Sequence, residues 1–178
     1  MPTQSAPGAP SDVFSELSKR FPYVGLHHRL DQAASGLVLL TLDPSVNAAI
    51  ARGFREHTIE RTYLAVLVGS VDDTVWDRPV EGKAARTHVH VVGRGAGLSA
   101  VELRLETGRT HQIRQHAAMA GRPIAGDRRY GGEAGRRWPR LALHACRLAF
   151  IHPKAGAKIT VESPIPSELS PLWGEAGA

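Results

Sequence analysis

Five segments of this chain, 60–68, 87–92, 98–105, 141–150 and 158–162, alternate apolar with polar residues and are rich in β-branched ones. That is the period of an extended strand and not of a helix. A sheet must therefore dominate the fold. Helical spacing is confined to three stretches. Ser11 reads as an N-cap, with Val13, Phe14 and Leu17 on one face and Pro22 ending the run. Asp43 caps a second helix, with Pro44 in its first position and Val46, Ile50 and Phe54 facing inward. The third covers 110–120 and is stopped by Gly121 and Pro123. These elements predict an α+β class: a mixed, mostly antiparallel sheet with flanking helices and the functional loops at one edge.

With 178 residues and 42% hydrophobic content the chain suits one domain, expected over 11–178 after a flexible lead-in at 1–10 rich in Pro, Ala, Gly and Ser. No window approaches the roughly 18 consecutive apolar residues of a membrane span, and no basic-then-apolar leader opens the chain, so a cytoplasmic protein is expected. Cys146, the single cysteine, excludes an internal disulfide and a cysteine zinc cage, and its apolar strand predicts a buried, inert thiol. Nine histidines raise a metal hypothesis, but none has zinc-motif spacing; His88 and His90 merely share one strand face, so no metal is expected. A formal charge of +5 favours a polyanionic partner, nucleic acid first. Arg122, Arg128, Arg129, Arg136, Arg137 and Arg140 concentrate that charge in a glycine-punctuated region.

Asp31 stands between Arg29 and a Ser35-Gly36 turn that leads into the apolar run 37–40. The run predicts a buried strand, which puts Asp31 on the loop before it, presented from a rigid element. Arg-x-Asp alone reads equally well as a surface ion pair.

The string His28-Arg29-Leu30-Asp31, followed by Ser35-Gly36-Leu37, resembles the first signature of the RluA-type pseudouridine synthases. Further segments resemble that family in the same order: Glu60-Arg61-Thr62-Tyr63-Leu64, then Thr107-Gly108-Arg109-Thr110-His111-Gln112-Ile113-Arg114, continuing through Gly126-Asp127 to Tyr130-Gly131. Leu143-His144-Ala145, with Leu148, Phe150, His152 and Pro153, fits the closing strand.

The resemblance implies the pseudouridine synthase fold with a catalytic cleft, and cofactor-free isomerisation of specific uridines in rRNA or tRNA. Asp31 would be the essential carboxylate, either a nucleophile or the base that removes a sugar proton. Arg114, in the first turn of the third helix, would pair with Asp31 and favour its charged form. Tyr63 would stack on the flipped uracil. Arg29 would enter the RNA stack where the uridine leaves, unless it is held by Asp31. Arg109, His111 and Gln112 match the third segment as candidates for RNA contact, or for loop geometry. A monomer without an obligate protein partner or membrane association is expected.

The chain departs from the family pattern at its start, where the usual Lys-Pro-Gly-type segment and its strand are missing, and at Ala34 and Arg61, where Thr and Lys are common. Two other classes compete. One is a truncated, non-catalytic RNA-binding relative. The other is a glycoside or nucleoside hydrolase, which needs a second positioned carboxylate that the motif segments do not supply.

Overall fold

A computed structural model describes Thr3 and residues 12–177. The first helix, α1 (Val13–Ser18), is capped by Asp12, whose carboxylate accepts from the Ser15 N–H at 2.7 Å. The cap is thus one residue beyond Ser11, which lies outside the described residues. Of the expected lead-in only Thr3 is described. It is buried, accepts from Phe14 N through its carbonyl, and accepts from Leu30 N through Oγ1 at 3.2 Å.

A small ribbon, β1 (Gly25–Leu26) against β3 (Leu40–Thr41), brackets the loop that carries Asp31. Between them β2 (Ser35–Gly36) joins the main sheet. After a short 3₁₀ turn at Pro44–Val46, capped by Asp43 as expected, α2 (Asn47–Arg55) turns Ile50 and Phe54 inward. The main sheet adds β4 (Glu60–Val68), β5 (Thr74–Trp76), β6 (Thr87–Gly95), β7 (Leu98–Leu105), β8 (Leu143–Ile151) and β9 (Lys158–Glu162). Its order is β2-β8-β4-β7-β6-β5, with β9 also on β8. Only β2 and β8 run parallel; every other pair is antiparallel.

The run 37–40 is not the continuous buried strand that its apolar character predicts. Backbone pairing is available at two separate places, β8 for Ser35–Gly36 and β1 for Leu40–Thr41. The intervening Leu37 and Leu39 instead fill a minor cluster around Ile50, Ile59 and Leu148. Apolarity recorded a demand for burial, and the partners decided the backbone shape.

The centre of the sheet is β4, with buried residues on both faces. Leu67 and Leu103 are fully buried, and truncating either to Ala should cost about 2–5 kcal/mol. Helices α3 (Gln112–Met119) and α5 (Ser170–Gly177) contribute Ile113, Ala117 and Ala176 to the same core, and a four-residue helix, α4 (Gly132–Gly135), precedes β8. The pairing of β4 with β8 slips between Thr62 and Tyr63, which leaves Cys146 as the extra residue. Such a bulge bends the strand and re-aims neighbouring side chains.

Candidate active site

A cleft of about 1060 Å³ opens between the Asp31 loop, α2, the start of β4 and the turn before α3. Asp31 is the only carboxylate lining it among the described residues. Around it stand Arg29, Arg55, Arg61 and Arg109, with His27, His28, His57 and His111. A single acid in a basic cleft suits an anionic substrate.

The Asp31 loop is anchored at both ends. His28 stacks on Phe54 at 4.5 Å between centroids, and its Nε2 accepts from Leu39 N at 2.8 Å. Burial, with the Arg61 cation adding, lowers the His28 pKa to about 4, so the ring is neutral and a fixed acceptor. At the other end Ser35 Oγ accepts from Arg140 at 3.0 Å and meets His144 Nδ1 at 2.9 Å. Gly36 has φ +116°, and a Cβ there would stand 2.2 Å from the Ala145 carbonyl oxygen. Only glycine permits that approach of loop to β8.

Arg114 lies behind Asp31 and does not line the cleft. Its Nη1 reaches Asp31 Oδ2 at 3.2 Å, while Nε and Nη2 each donate to Asp127 at 2.8 Å. Asp127 is 1% exposed and accepts in addition from the backbone N–H of Arg129 and Tyr130. Burial alone would push this carboxyl up, but Arg114 and the two amides outweigh it and hold it low. Burial likewise opposes the charge on Arg114, and Asp127 followed by Asp31 raises its pKa regardless. The guanidinium also sits over the Tyr130 ring at 5.1 Å.

His111 takes a left-handed conformation, φ 52° and ψ 27°, at the N-terminus of α3. For a non-glycine residue this is strained, and here it aims the ring at two partners. Nδ1 lies 2.9 Å from the Tyr130 hydroxyl and Nε2 lies 3.7 Å from Asp31 Oδ1. Gln112 serves the turn: it is 3% exposed, accepts from Thr107 and Arg109 N, and donates to the Arg86 carbonyl and Thr87 Oγ1. All four of its hydrogen-bonding directions are occupied within the fold, and it also lines the cleft. Arg109 donates Nε to the Ala84 carbonyl at 3.0 Å and also lines the cleft.

Tyr63 enters the cleft from β4 and is buried. Burial pushes its phenol up, Arg61 pulls it back and Asp31 adds to the rise, so the hydroxyl is a proton donor at neutral pH. Arg29 is exposed and lines the cleft without pairing with Asp31, which is approached instead by Arg114 and the His111 ring. The basic cluster divides by role. Arg122, Arg128 and Arg140 are tied to the Ser70 carbonyl, the Pro139 carbonyl and Ser35, and Arg122, Arg128, Arg129, Arg136 and Arg137 are exposed. Cys146 donates to the Thr62 carbonyl at 3.4 Å, and burial drives its thiol to about 11.

Asp127, Tyr130 and Arg61 were not among the site residues expected from sequence. The local signal for Asp127 is the glycine before it and the turn after it, since an Asp that accepts from amides two and three residues on is a turn former. That signal marks the turn but not the arginine it captures.

Comparison with known proteins bears on family and fold. Residues 14–119 match the family model described as RNA pseudouridylate synthase. The chain is 36% identical to "Ribosomal large subunit pseudouridine synthase D" of Nitrosomonas europaea (strain ATCC 19718 / CIP 103999 / KCTC 2705 / NBRC 14298), over 85% of this chain and 51% of that protein. It is 35% identical to "Uncharacterized RNA pseudouridine synthase YlyB" of Bacillus subtilis (strain 168), over 83% of this chain and 54% of the relative. The chain thus spans about half the length of these curated relatives. Among solved structures it resembles "Human RNA Pseudouridylate Synthase Domain Containing 1", with TM-score 0.72 and 30% identity over 89% of this chain and 76% of that one. "Human RNA Pseudouridylate Synthase Domain Containing 4" shares the fold, with TM-score 0.68 at 22% identity over 84% and 76%. On sequence and on fold, the chain belongs to the RNA pseudouridylate synthase family.

Proposed function

We propose that this chain isomerises uridine to pseudouridine in RNA with Asp31 as the reacting carboxylate. The observation that carries this reading is the single acid of the cleft, Asp31, held 3.2 Å from an arginine that Asp127 immobilises from behind. A pinned guanidinium orients the carboxylate without competing for the substrate side. Asp31 then either attacks C1′ or takes the 2′ proton, and in both routes the N1–C1′ bond breaks. Tyr63 offers an aromatic face to the extruded uracil, and its protonated hydroxyl can donate to a ring oxygen. Exposed Arg29 fits insertion into the space the base vacates, with Arg109 nearby for a phosphate.

Ribosomal RNA is the favoured substrate, because several relatives are named for the large ribosomal subunit, with tRNA as the alternative. We place the reaction in the cytoplasm, carried out by a monomer without cofactor. Among the described residues no helix is long and apolar enough to cross a membrane. A hydrolase of the two-carboxylate kind is disfavoured by the lone acid.

The test is incubation of the purified chain, and of Asp31→Asn, with unmodified rRNA and tRNA transcripts, followed by carbodiimide detection of pseudouridine. Product made only by the unmutated chain is expected. Salt-dependent RNA binding without product would favour the non-catalytic binding reading, and free uracil would favour hydrolysis.

A further inference from the structure

Arg61 and Arg114 are equally buried, each 8% exposed, yet their surroundings are opposite. Arg114 touches two carboxylates. Among the described residues Arg61 pairs with none. Its Nη2 donates to the Thr107 carbonyl over a long 3.4 Å, its guanidinium lies 5.8 Å from the centroid of the Phe54 ring, and its Nε–H is shut off from solvent with no acceptor. Burial without a counter-charge pushes its pKa down. An arginine retained in such a place stands ready for an acceptor that arrives with a ligand.

The position is built for the guanidinium. The guanidinium lies against the turn at Gly108, where a Cβ would come within 2.6 Å of Arg61 Nη1 and displace it. Arg61 and Tyr63 are two residues apart on β4, share one face of the strand, and both line the cleft. Arg29 is exposed and Arg109 half-buried, whereas Arg61 is buried in the cleft wall, the kind of place that an extruded base reaches.

We propose that Arg61 is a catalytic residue that stabilises the departing uracil, donating to the ring oxygen that gathers negative charge. This rests on the pseudouridine-forming reading above. In either route the N1–C1′ electron pair leaves with the base, so charge spreads over N1 and the two carbonyl oxygens. The C5–C1′ bond then forms, C5 gives up its proton, and N1 gains one, with no external reactant. A preformed donor in a water-poor pocket acts most strongly on charge that appears only as the bond breaks.

The test compares single-turnover loss of N-linked nucleoside in RNA carrying uridine with that in RNA carrying 5-fluorouridine, whose more acidic ring is the better leaving group. Arg61→Met should slow the uridine reaction about 100-fold, the usual effect of removing one such donor. The deficit should shrink to less than about tenfold with 5-fluorouridine, and RNA affinity and its salt slope should hold within about twofold, since no phosphate contact is lost. Arg61→Lys, which keeps a cation, should show the same pattern at smaller size and serves where the Met variant fails to fold. Equal deficits on the two substrates, an unchanged rate, or weaker binding with a shallower salt slope would overturn the assignment. An unmutated chain that leaves both RNAs unchanged would instead overturn the activity itself, and Arg61's role with it.

Discussion

Asp127 grips Arg114 through two hydrogen bonds of 2.8 Å, and this pair faces away from the cleft that it organises. Asp31 receives only the third donor of the same guanidinium, at 3.2 Å. The division of labour is physical: the buried bidentate contact fixes the guanidinium, and the single outer contact orients Asp31. Removing the inner carboxylate strands a buried cation. Asp127→Asn is expected to lower stability by about 3 kcal/mol or more in urea unfolding, and to reduce turnover in the folded fraction because Arg114 loses its orientation.

His28 makes stability depend on pH. Its folded-state pKa of about 4 lies below the ordinary 6.5, chiefly through burial and then through Arg61. As pH falls below 6.5 the unfolded chain takes up the proton first, so stability declines from there down to about pH 4, where the folded ring also protonates. The loss across that window should be roughly 3 kcal/mol for this residue. Urea unfolding at pH 7 and 4.5 should show a smaller difference for His28→Gln. His27, His57 and His144 shift in the same direction, so the slope will flatten without vanishing.

Gly36 is the hinge between chemistry and scaffold. Gly36→Ala places a methyl group against the Ala145 carbonyl in a left-handed conformation that alanine resists. A destabilisation of about 2 kcal/mol or more is expected by thermal unfolding. Activity should fall further than the unfolded fraction explains, because the pairing of β2 with β8 sets where the Asp31 loop stands.

Cys146 should be chemically silent. With its thiol raised to about 11, roughly one molecule in a thousand carries a thiolate at pH 8. Iodoacetamide should label the native protein slowly and the urea-unfolded protein fast, and Cys146→Ala should retain activity. Rapid native labelling would show that the bulge at this position opens.

Where the signal was local, the sequence alone was sufficient. The strands 60–68, 98–105 and 158–162 have the bounds expected of their segments, because enrichment in β-branched and apolar residues is a property of neighbouring residues. Asp31 on a loop and Arg114 in the first turn of a helix were legible for the same reason, as was the Asp43 cap. Tertiary structure decided what no window contains. It split the apolar run 37–40 between two partners, since a strand forms only where another offers its backbone. It engaged all four hydrogen-bonding directions of Gln112 in holding a turn. It gave Arg114 to Asp127 and, among the described residues, left Arg61 without a counter-charge. Charge pairing depends on distance through space and on exclusion of water, and both arise only when β4, α3 and the loop after it close on one another.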